Sequence, residues 1–280
     1  MKLIIANKFR NKMKINLSVI IPVYNAQKTL ETSINSVVKQ DIRIKNFTLE
    51  IILIIDDGKR YEKIIPKIRK GVSIKIIKTK GIKTGPGNAR NLGIQKASGK
   101  YIGFLDADDE WSENYINNMY NLVNKNGIAF APTKVYDKNK EIYNFTGKEI
   151  GYLQLSDIGQ VPCSFHPFIL KINHKNFKSI KSQDVYNTAY ILARSNRKIK
   201  MIDDGFYKLN LQKESVTNET GFSHKINLAY KKYQIICEKD KVPKVSRQFA
   251  LRRIMNLKFI KWQKKYKGGF YSFLSQEITN

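Results

Sequence analysis

The sequence predicts an α/β fold with a mainly parallel central sheet flanked by helices, followed by a basic helical C-terminal segment. Three observations support this prediction. In the first half of the chain, β-branched apolar runs alternate with stretches of helical periodicity, as expected of βαβ units. Two of these runs end in aspartates, at the edge where open α/β sheets bind ligands. The last fifth of the chain is rich in Lys and Arg, with apolar residues at helical spacing.

The first two strands are predicted from buried-type runs. Leu17 to Ile21 indicates the first, and a helix follows in which Leu30, Ile34, Val37 and Val38 share one face. Leu49 to Ile55 indicates the second strand, which ends in the turn-forming residues Asp56, Asp57 and Gly58.

The next segment contains a short helix, a strand and a longer helix. We expect a helix around Tyr61 to Lys70, although it contains Pro66, and a third strand at Ile74 to Ile77. The turn at 85–87 then leads into a helix that Gly99 should cap at its C-terminus, with one face formed by Ala89, Leu92, Gly93 and Ala97.

A fourth strand, Tyr101 to Leu105, runs directly into an acidic turn at 106–109. Ser112 is predicted to cap the next helix, which ends at Gly127 and presents Tyr115, Ile116, Met119 and Val123 on one face. Ile128 to Tyr136 indicates a further strand.

The second half has a weaker pattern. A helix is expected near Val185 to Ala193, and from Lys225 onward the chain has 14 Lys and Arg against 3 acidic residues. Leu251, Ile254, Met255, Phe259 and Trp262 fall in one helical sector, but lysines lie in or beside it. This segment is therefore predicted to be helical without being a clear membrane-surface helix.

Composition limits the function classes. The chain has 51 Lys and Arg against 23 Asp and Glu, an excess that attracts nucleic acid, anionic lipid or phosphorylated small molecules. Cys163 and Cys237 have no metal-type spacing. The longest apolar runs are shorter than a membrane span, and the N-terminus does not resemble a secretory signal, so we expect a cytoplasmic protein.

Two acidic strand ends indicate a shared site. Asp106 and Asp108, one residue apart, can bind a hard divalent cation, Mn²⁺ or Mg²⁺, together with phosphate oxygens. Asp56 and Asp57 should lie on the same sheet edge. The alternative is that these aspartates only form turns and favour a helix N-terminus.

A third feature is the turn at 85–87, whose following helix carries Arg90 in its first turn. Free backbone N–H groups and a guanidinium both favour anions, so this segment can approach a phosphate.

Taken together, four stretches resemble family-2 glycosyltransferases of the GT-A fold, with its Rossmann-like sheet. They are LSVIIPVYNAQKTLETSINSVVKQ, EIILIIDDG, GNARNLGIQKASGKYIGFLDADD and, more loosely, SQDVYN followed by FYKLNLQKESVT. The first three span residues 17 to 109. The resemblance implies an inverting transferase that uses a nucleotide-sugar donor, with UDP as the expected nucleotide.

The resemblance also implies roles for a nucleotide pocket. Pro22, Tyr24 and Asn25 would line the pocket for the base, with Tyr24 stacking on its ring, and Asp57 would accept a hydrogen bond from it. After Asp57-Gly58 the family usually has Ser or Thr and another acidic residue, whereas this chain has Lys59, Arg60 and Tyr61.

For the chemical step, Asp106 and Asp108 match the Asp-x-Asp motif, which implies contacts with the ribose and with the metal, and Asp109 could share this role. Asp184 matches the base that deprotonates the acceptor hydroxyl. Without the family, Asp184 reads as an ordinary residue at a helix N-terminus. His166 is predicted to be an acceptor-site or metal-associated residue, or else a structural histidine, and Trp111 a core aromatic or a platform on which a sugar stacks.

The predicted organisation is a GT-A domain at 1–220, with a nucleotide-sugar half at about 15–130 and an acceptor half at about 131–220, and a basic extension at 221–280. The acceptor would be a saccharide or a lipid-linked or protein-linked glycan, in cell-surface polysaccharide or glycoconjugate synthesis. The C-terminal segment could hold the enzyme at an anionic membrane surface. The alternatives are a nucleic-acid-binding protein, although no nucleic acid is expected as a partner, and a nucleotidyltransferase on a related sheet.

Overall fold

The structure, a computed structural model, describes residues 15–160, 165–212, 221–266 and 268–279. Its strands are β1 (Leu17–Val23), β2 (Leu49–Ile55), β3 (Val72–Lys78), β4 (Tyr101–Phe104), β5 (Glu110–Trp111), β6 (Ile128–Ala129), β7 (Thr133–Asp137), β8 (Lys140–Phe145), β9 (Tyr152–Leu153), β10 (Phe168–Leu170), β11 (Ile199–Lys200) and β12 (Tyr207–Leu211). Its α-helices are α1 (Leu30–Val38), α2 (Pro86–Lys96), α3 (Tyr115–Asn126), α4 (Leu155–Ile158), α5 (Gln183–Ser195), α6 (Phe222–Lys239), α7 (Pro243–Gln263) and α8 (Phe270–Thr279).

The central sheet has six strands in the order β3-β2-β1-β4-β10-β6. The four strands β3, β2, β1 and β4 are parallel, whereas β10 runs antiparallel to β4 and β6. The predicted α/β class with a mainly parallel sheet is therefore confirmed. Since β1 lies between β2 and β4, the residues that follow these three strands leave the sheet side by side.

The inner strands β1, β2 and β4 are covered on both faces, which explains why they are largely apolar, whereas the edge strand β3 is partly exposed and contains lysines. Alternate residues of β1 belong to different cores, because side chains of a strand alternate in direction. Ile20 packs with Ala89 and Ile94 of α2, whereas Val19 packs with Ile34 of α1 and with α3.

A second sheet, β5-β12-β7-β8, lies beside the carboxyl end of β4. In this sheet β12 pairs with β5 in antiparallel fashion, with Tyr207 opposite Trp111, and with β7 in parallel fashion. The sheet thereby connects the acidic turn after β4 to a strand about 100 residues later. A two-stranded sheet, β11-β9, completes the second half.

The C-terminal segment is helical, as the sequence predicts. Helices α6 and α7 pack against each other, and α7 packs against α4 and α5. Tyr233 and Phe249 lie in the same buried cluster as Ile20 of β1, so side-chain packing is continuous across the predicted boundary at 220. That boundary stays a prediction. Within the described residues, no helix combines the length and apolar character needed to cross a bilayer.

Four local predictions are wrong or incomplete. In place of a helix at Tyr61 to Lys70 there is only a 3-10 turn, Glu62–Ile64, and the segment with Pro66 is not helical. The strand predicted from Ile128 to Tyr136 is two strands, β6 and β7, in different sheets, and Ala131 and Pro132 between them belong to neither.

The other two corrections concern helix ends. Helix α2 ends at Lys96, so Gly99 does not cap it; a Cβ on Gly99 would lie 2.6 Å from the backbone N of Ser18 in β1. Ser112 does not cap α3, because its hydroxyl accepts a hydrogen bond from the Phe206 N–H (2.7 Å). The Ile116 N–H instead donates to the side-chain oxygen of Gln40 (3.1 Å), which comes from the distant α1 region.

Candidate active site

The predicted base pocket lies where β1 and β2 end together. Val23 is opposite Ile55 in the parallel register, so Asn25 and Asp57 emerge as neighbours. Asn25 has a left-handed backbone (φ 52°), and its N–H donates to Oδ2 of Asp57 (2.8 Å). The Tyr24 side chain, 45% exposed, is available for stacking on a ring.

Asp57 is held by groups that follow it in the chain. The Lys59 N–H donates to Oδ1 (3.0 Å), and the Tyr61 hydroxyl donates to Oδ2 (2.6 Å). Burial tends to raise the pKa of Asp57, but the hydrogen bonds from Tyr61, Lys59 and Asn25 outweigh it and the pKa is lowered. The carboxylate therefore stays ionised and fixed in direction.

Asp56 makes different contacts from Asp57. It is buried, and its Oδ1 accepts hydrogen bonds from the hydroxyls of Thr79 (2.9 Å) and Thr84 (2.7 Å), while Oδ2 accepts one from the Gly85 N–H (2.8 Å). These bonds hold the turn that starts α2. Asp56 is thus a structural residue, which the two consecutive aspartates of the sequence do not reveal.

Arg90 of α2 is paired with Asp106. Its Nη2 donates to Oδ1 of Asp106, and its side chain is 2% exposed. Burial alone would lower the pKa of Arg90, but the charges of Asp106 and Asp184 raise it. The predicted phosphate contact of Arg90 stays a prediction; the contact it makes in the structure is with the first aspartate of the Asp-x-Asp motif.

Asp106 also lies close to His166. The His166 Nε2 is 3.7 Å from Oδ2 of Asp106, and its ring is 5.2 Å from that of Tyr207. Burial raises the pKa of Asp106, but the Arg90 charge and the His166 contact dominate and lower it strongly. Asp106 is therefore an anion whose two oxygens both face protein groups.

Asp109 belongs to the framework of the acidic turn. Its Oδ2 accepts from the Tyr207 hydroxyl (2.8 Å) and its Oδ1 from the Asn210 N–H (2.9 Å). The Tyr207 hydroxyl in turn accepts from the Asp106 N–H (3.1 Å). Burial and the charges of Asp108 and Asp106 raise the pKa of Asp109 well above its usual range.

Asp108 is the carboxylate of this turn with the fewest partners: no other described residue donates a hydrogen bond to it. Burial, followed by the charge of Asp106, raises the pKa of Asp108 to about 6. Uncompensated negative charge among oxygen donors fits Mn²⁺ or Mg²⁺. No three Asp, Glu, His or Cys side chains of the described chain form a complete metal cage.

Asp184 is placed in the first turn of α5, partly buried. Its Oδ1 accepts a hydrogen bond from the Val185 N–H (2.9 Å), and its charge acts on Arg90. The structure thus brings Asp184 within electrostatic range of the pair formed by Arg90 and Asp106. Its catalytic role remains a prediction.

Sequence reasoning missed three residues of this site: Tyr61, Tyr207 and Asn210. The loosely matching stretch FYKLNL contains the latter two, but nothing in their spacing identifies what they bind. Trp111 is a core aromatic: it is 3% exposed and stacks on Tyr115 with ring centroids 4.7 Å apart. Cys163 and residues 213–217 of the last matching stretch lie outside the described residues.

Comparison with known proteins identifies the family. The model described as "Glycosyl transferase family 2" matches residues 18–197, more than half of the chain. The chain belongs to this glycosyltransferase family. The resemblance inferred from the sequence motifs is thereby confirmed.

Curated relatives of this family member include proteins of cell-surface polymer synthesis. It is 29% identical over 210 residues to the Escherichia coli "UDP-Glc:alpha-D-GlcNAc-diphosphoundecaprenol beta-1,3-glucosyltransferase WfgD", covering 72% of this chain and 79% of the relative. It is 38% identical over 116 residues to "Minor teichoic acid biosynthesis protein GgaA" of Bacillus subtilis (strain 168), covering 38% of this chain and 24% of the relative. An uncharacterized glycosyltransferase of Rickettsia bellii is 33% identical over 55% of this chain, which spans 21% of that relative. The chain thus covers roughly a fifth to a quarter of two of these relatives.

Among solved structures, S. aureus TarS 1-349 in complex with UDP-GlcNAc superposes with a TM-score of 0.59 at 18% identity, covering 77% of this chain and 66% of that one. At this identity the likeness supports the fold of the glycosyltransferase domain.

Proposed function

We propose that the chain is an inverting, metal-dependent glycosyltransferase that moves a sugar from a UDP-sugar onto an acceptor hydroxyl. The observation that carries the proposal is the arrangement of β2, β1 and β4. These three neighbouring parallel strands deliver Asp57, Asn25 and the turn of Asp106 and Asp108 to one edge of the sheet. Asp57, which would contact the base, and Asp108, which would bind the cation, then lie at the two ends of one donor site.

Each residue has a role in binding the donor. The ring of Tyr24 stacks on the base, beside Pro22 and Asn25, and Asp57 accepts a hydrogen bond from the base N–H. Asp108, with Asp106 beside it, would hold Mn²⁺ or Mg²⁺, which when bound stabilises negative charge on the departing nucleoside diphosphate.

Asp184 is the proposed base. At the partly buried start of α5 it accepts the proton of the acceptor hydroxyl, and the oxygen then attacks the sugar carbon from the side opposite the nucleotide. A single displacement of this kind inverts the configuration at that carbon. Arg90 holds the Asp106 carboxylate in place through their charge-assisted hydrogen bond.

The acceptor is proposed from the relatives. WfgD is named for a lipid-diphosphate acceptor and GgaA for teichoic acid synthesis, and a structure of TarS holds UDP-GlcNAc. We therefore place this chain in cell-surface polysaccharide or glycoconjugate synthesis, with a saccharide or a lipid-linked or protein-linked glycan as acceptor.

The experiment is a thermal-shift or calorimetric titration with UDP, CDP, GDP and ADP, each with and without Mn²⁺. A specific ligand raises the stability of the folded state by mass action. Metal-dependent stabilisation by UDP supports the donor site. No response to any nucleotide contradicts it and favours the nucleic-acid alternative, for which salt-sensitive binding to DNA or RNA would be decisive.

A peripheral position at an anionic membrane is proposed for the α6–α7 hairpin. Each helix exposes two aliphatic side chains: Leu228 (61%) and Ile235 (45%) on α6, and Ile254 (54%) and Leu257 (40%) on α7. Exposed lysines flank them along the same helices, namely Lys231, Lys232, Lys239, Lys258 and Lys261. Apolar side chains ringed by cations match the interface of an anionic bilayer.

Vesicle co-sedimentation tests this position. The double variant L228S/I235S should bind vesicles with anionic lipid less than the unchanged protein does, and neutral vesicles should bind neither. I172S is the matched control, because Ile172 is 90% exposed outside the hairpin. Equal binding by L228S/I235S, or loss of binding in I172S, would contradict the assignment to this surface.

A further inference from the structure

Tyr61 stands where the sequence departs from its family, in the stretch Lys59-Arg60-Tyr61 that replaces the usual Ser or Thr and acidic residue. Its ring is 1% exposed and packs in the core formed by β1, β2 and α1. A side chain buried in this way cannot touch a ligand in the open pocket. Its hydroxyl, however, reaches the carboxylate of Asp57, which would contact the ligand.

The direction of that hydroxyl is fixed at both ends. It accepts a hydrogen bond from the Ala26 N–H (3.2 Å) and donates its single proton to Oδ2 of Asp57 (2.6 Å). Ala26 follows β1 and Asp57 follows β2, so Tyr61 ties together the two segments that line the base pocket. A hydrogen bond to a charged acceptor is among the stronger ones in proteins.

The hydrogen-bond count of Asp57 shows what this arrangement leaves available. Among the described residues, Oδ2 accepts from the Asn25 N–H and from the Tyr61 hydroxyl, and Oδ1 accepts only from the Lys59 N–H. A carboxylate oxygen has two acceptor positions, so Oδ1 retains one. The carboxylate cannot rotate without breaking its bonds, and the remaining position therefore keeps one direction.

We infer that Tyr61 is a positioning residue for nucleobase selection: its hydroxyl fixes Asp57 so that the free acceptor position meets the ring N–H of a uracil-type base. Uracil carries a proton at this ring nitrogen, whereas cytosine carries a lone pair that the carboxylate repels. This inference rests on the proposed function and assigns to Tyr61 the selectivity of the donor site for UDP.

The charged and titratable surroundings of Asp57 are few among the described residues. Lys59 lies at the exposed rim, where its Nζ donates to Oδ1 of Asn25 (2.8 Å), and Asp56 is occupied by Thr79, Thr84 and Gly85. Removal of the Tyr61 hydroxyl takes away a bond that favours the ionised carboxylate. The pKa of Asp57 then rises toward its usual value.

The test uses the full chain and measures the dissociation constants of UDP and CDP, with Mn²⁺, by calorimetry at neutral pH. Tyr61→Phe keeps the buried ring and removes the hydroxyl. We expect UDP binding to weaken by about tenfold and CDP binding to change little, since a bond to a charged group is lost. Tyr115→Phe is the matched control, because Tyr115 is an equally buried tyrosine of the same core.

A double-mutant cycle separates positioning from a general loss of structure. Asp57→Asn alone should abolish the preference for UDP over CDP, and adding Tyr61→Phe should cost nothing further if Tyr61 acts through Asp57. Equal affinities for UDP in Tyr61→Phe and the unchanged protein, or additive losses in the double variant, would overturn the inference alone. Absence of UDP binding to the unchanged protein overturns the proposed function as well.

Discussion

The guanidinium of Arg90 lies buried against the carboxylate of Asp106, so that a charge pair joins helix α2 to the acidic turn that follows strand β4. The pair leaves the Asp106 carboxylate occupied, whereas no other described residue donates a hydrogen bond to the Asp108 carboxylate. Two aspartates of one short motif thus have opposite effects on the folded state.

The different surroundings of Asp106 and Asp108 should appear as different free energies of unfolding when each is replaced by Asn. Asp106→Asn leaves the Arg90 charge buried without its partner and should lower the free energy of unfolding by about 3 kcal/mol or more. Asp108→Asn removes a buried charge that Asp106 repels, so the free energy of unfolding should stay the same or rise. Urea unfolding of both variants gives the comparison. Equal destabilisation by the two substitutions would mean that the Arg90 pair does not support the fold.

A second prediction concerns Asp184. Asp184→Asn should lower kcat for sugar transfer by about a hundredfold or more, as expected for loss of a general base, while UDP binding and thermal stability change little. Asp203→Asn is the control, because Asp203 is an exposed acid whose partner is Lys200 at the surface. A variant that loses UDP binding together with activity would assign Asp184 to the donor site instead.

Gly93 of α2 marks the closest approach of that helix to the sheet. A Cβ at this position would lie 2.4 Å from Cγ2 of Ile20 in β1. Gly93→Ala should therefore destabilise the protein by about 1 to 3 kcal/mol through overpacking, despite the better helix propensity of Ala. In Gly81→Ala, the matched control, the nearest atom would be 3.7 Å away. The melting temperatures of the two variants test this prediction, and an unchanged value for Gly93→Ala would contradict the close contact between Gly93 and Ile20.

Glu50 provides a test of pH dependence away from the active site. This buried carboxylate of β2 pairs with Lys75 and accepts hydrogen bonds from the Ser18 hydroxyl and the Ser98 N–H. Burial raises its pKa, but the bonds from Lys75, Ser18 and Ser98 together outweigh burial and lower it from the ordinary value of 4.5.

Because the pKa of Glu50 is lower in the folded state, its ionised form stabilises the protein above pH 4.5, and this contribution is lost as the pH falls through the folded-state pKa. Glu50→Gln should therefore be clearly less stable than the unchanged protein at pH 7, with a difference that shrinks on acidification. Urea unfolding at a series of pH values measures it. A difference that does not depend on pH would show that Glu50 contributes only through packing.

Local patterns predicted the parts of the chain that depend on local physics. The apolar runs of β1, β2 and β4 are long and continuous because both faces of their sheet are buried, and their limits match the prediction within about two residues. Gly127 ends α3 in the left-handed conformation that favours glycine, as expected. The predicted helix at 61–70 stops after one turn because Ile65, which precedes Pro66, is extended (φ −75°, ψ 121°), as residues before proline tend to be.

The sequence by itself therefore determined the positions of β1, β2, β3 and β4 along the chain, the acidic residues that follow β2 and β4, and membership of the family. Only the tertiary structure decided which of those residues are free to act. Asp56 and Asp57 are adjacent and chemically identical, yet Asp56 is buried and bonded to Thr79, Thr84 and Gly85, whereas Asp57 is partly exposed beside Asn25. The reason is that the partners of a carboxylate, such as Arg90 for Asp106 or Tyr207 for Asp109, come from other elements of the chain. Tertiary packing brings each carboxylate to its partner, and the local spacing of residues in the sequence does not predict these pairs.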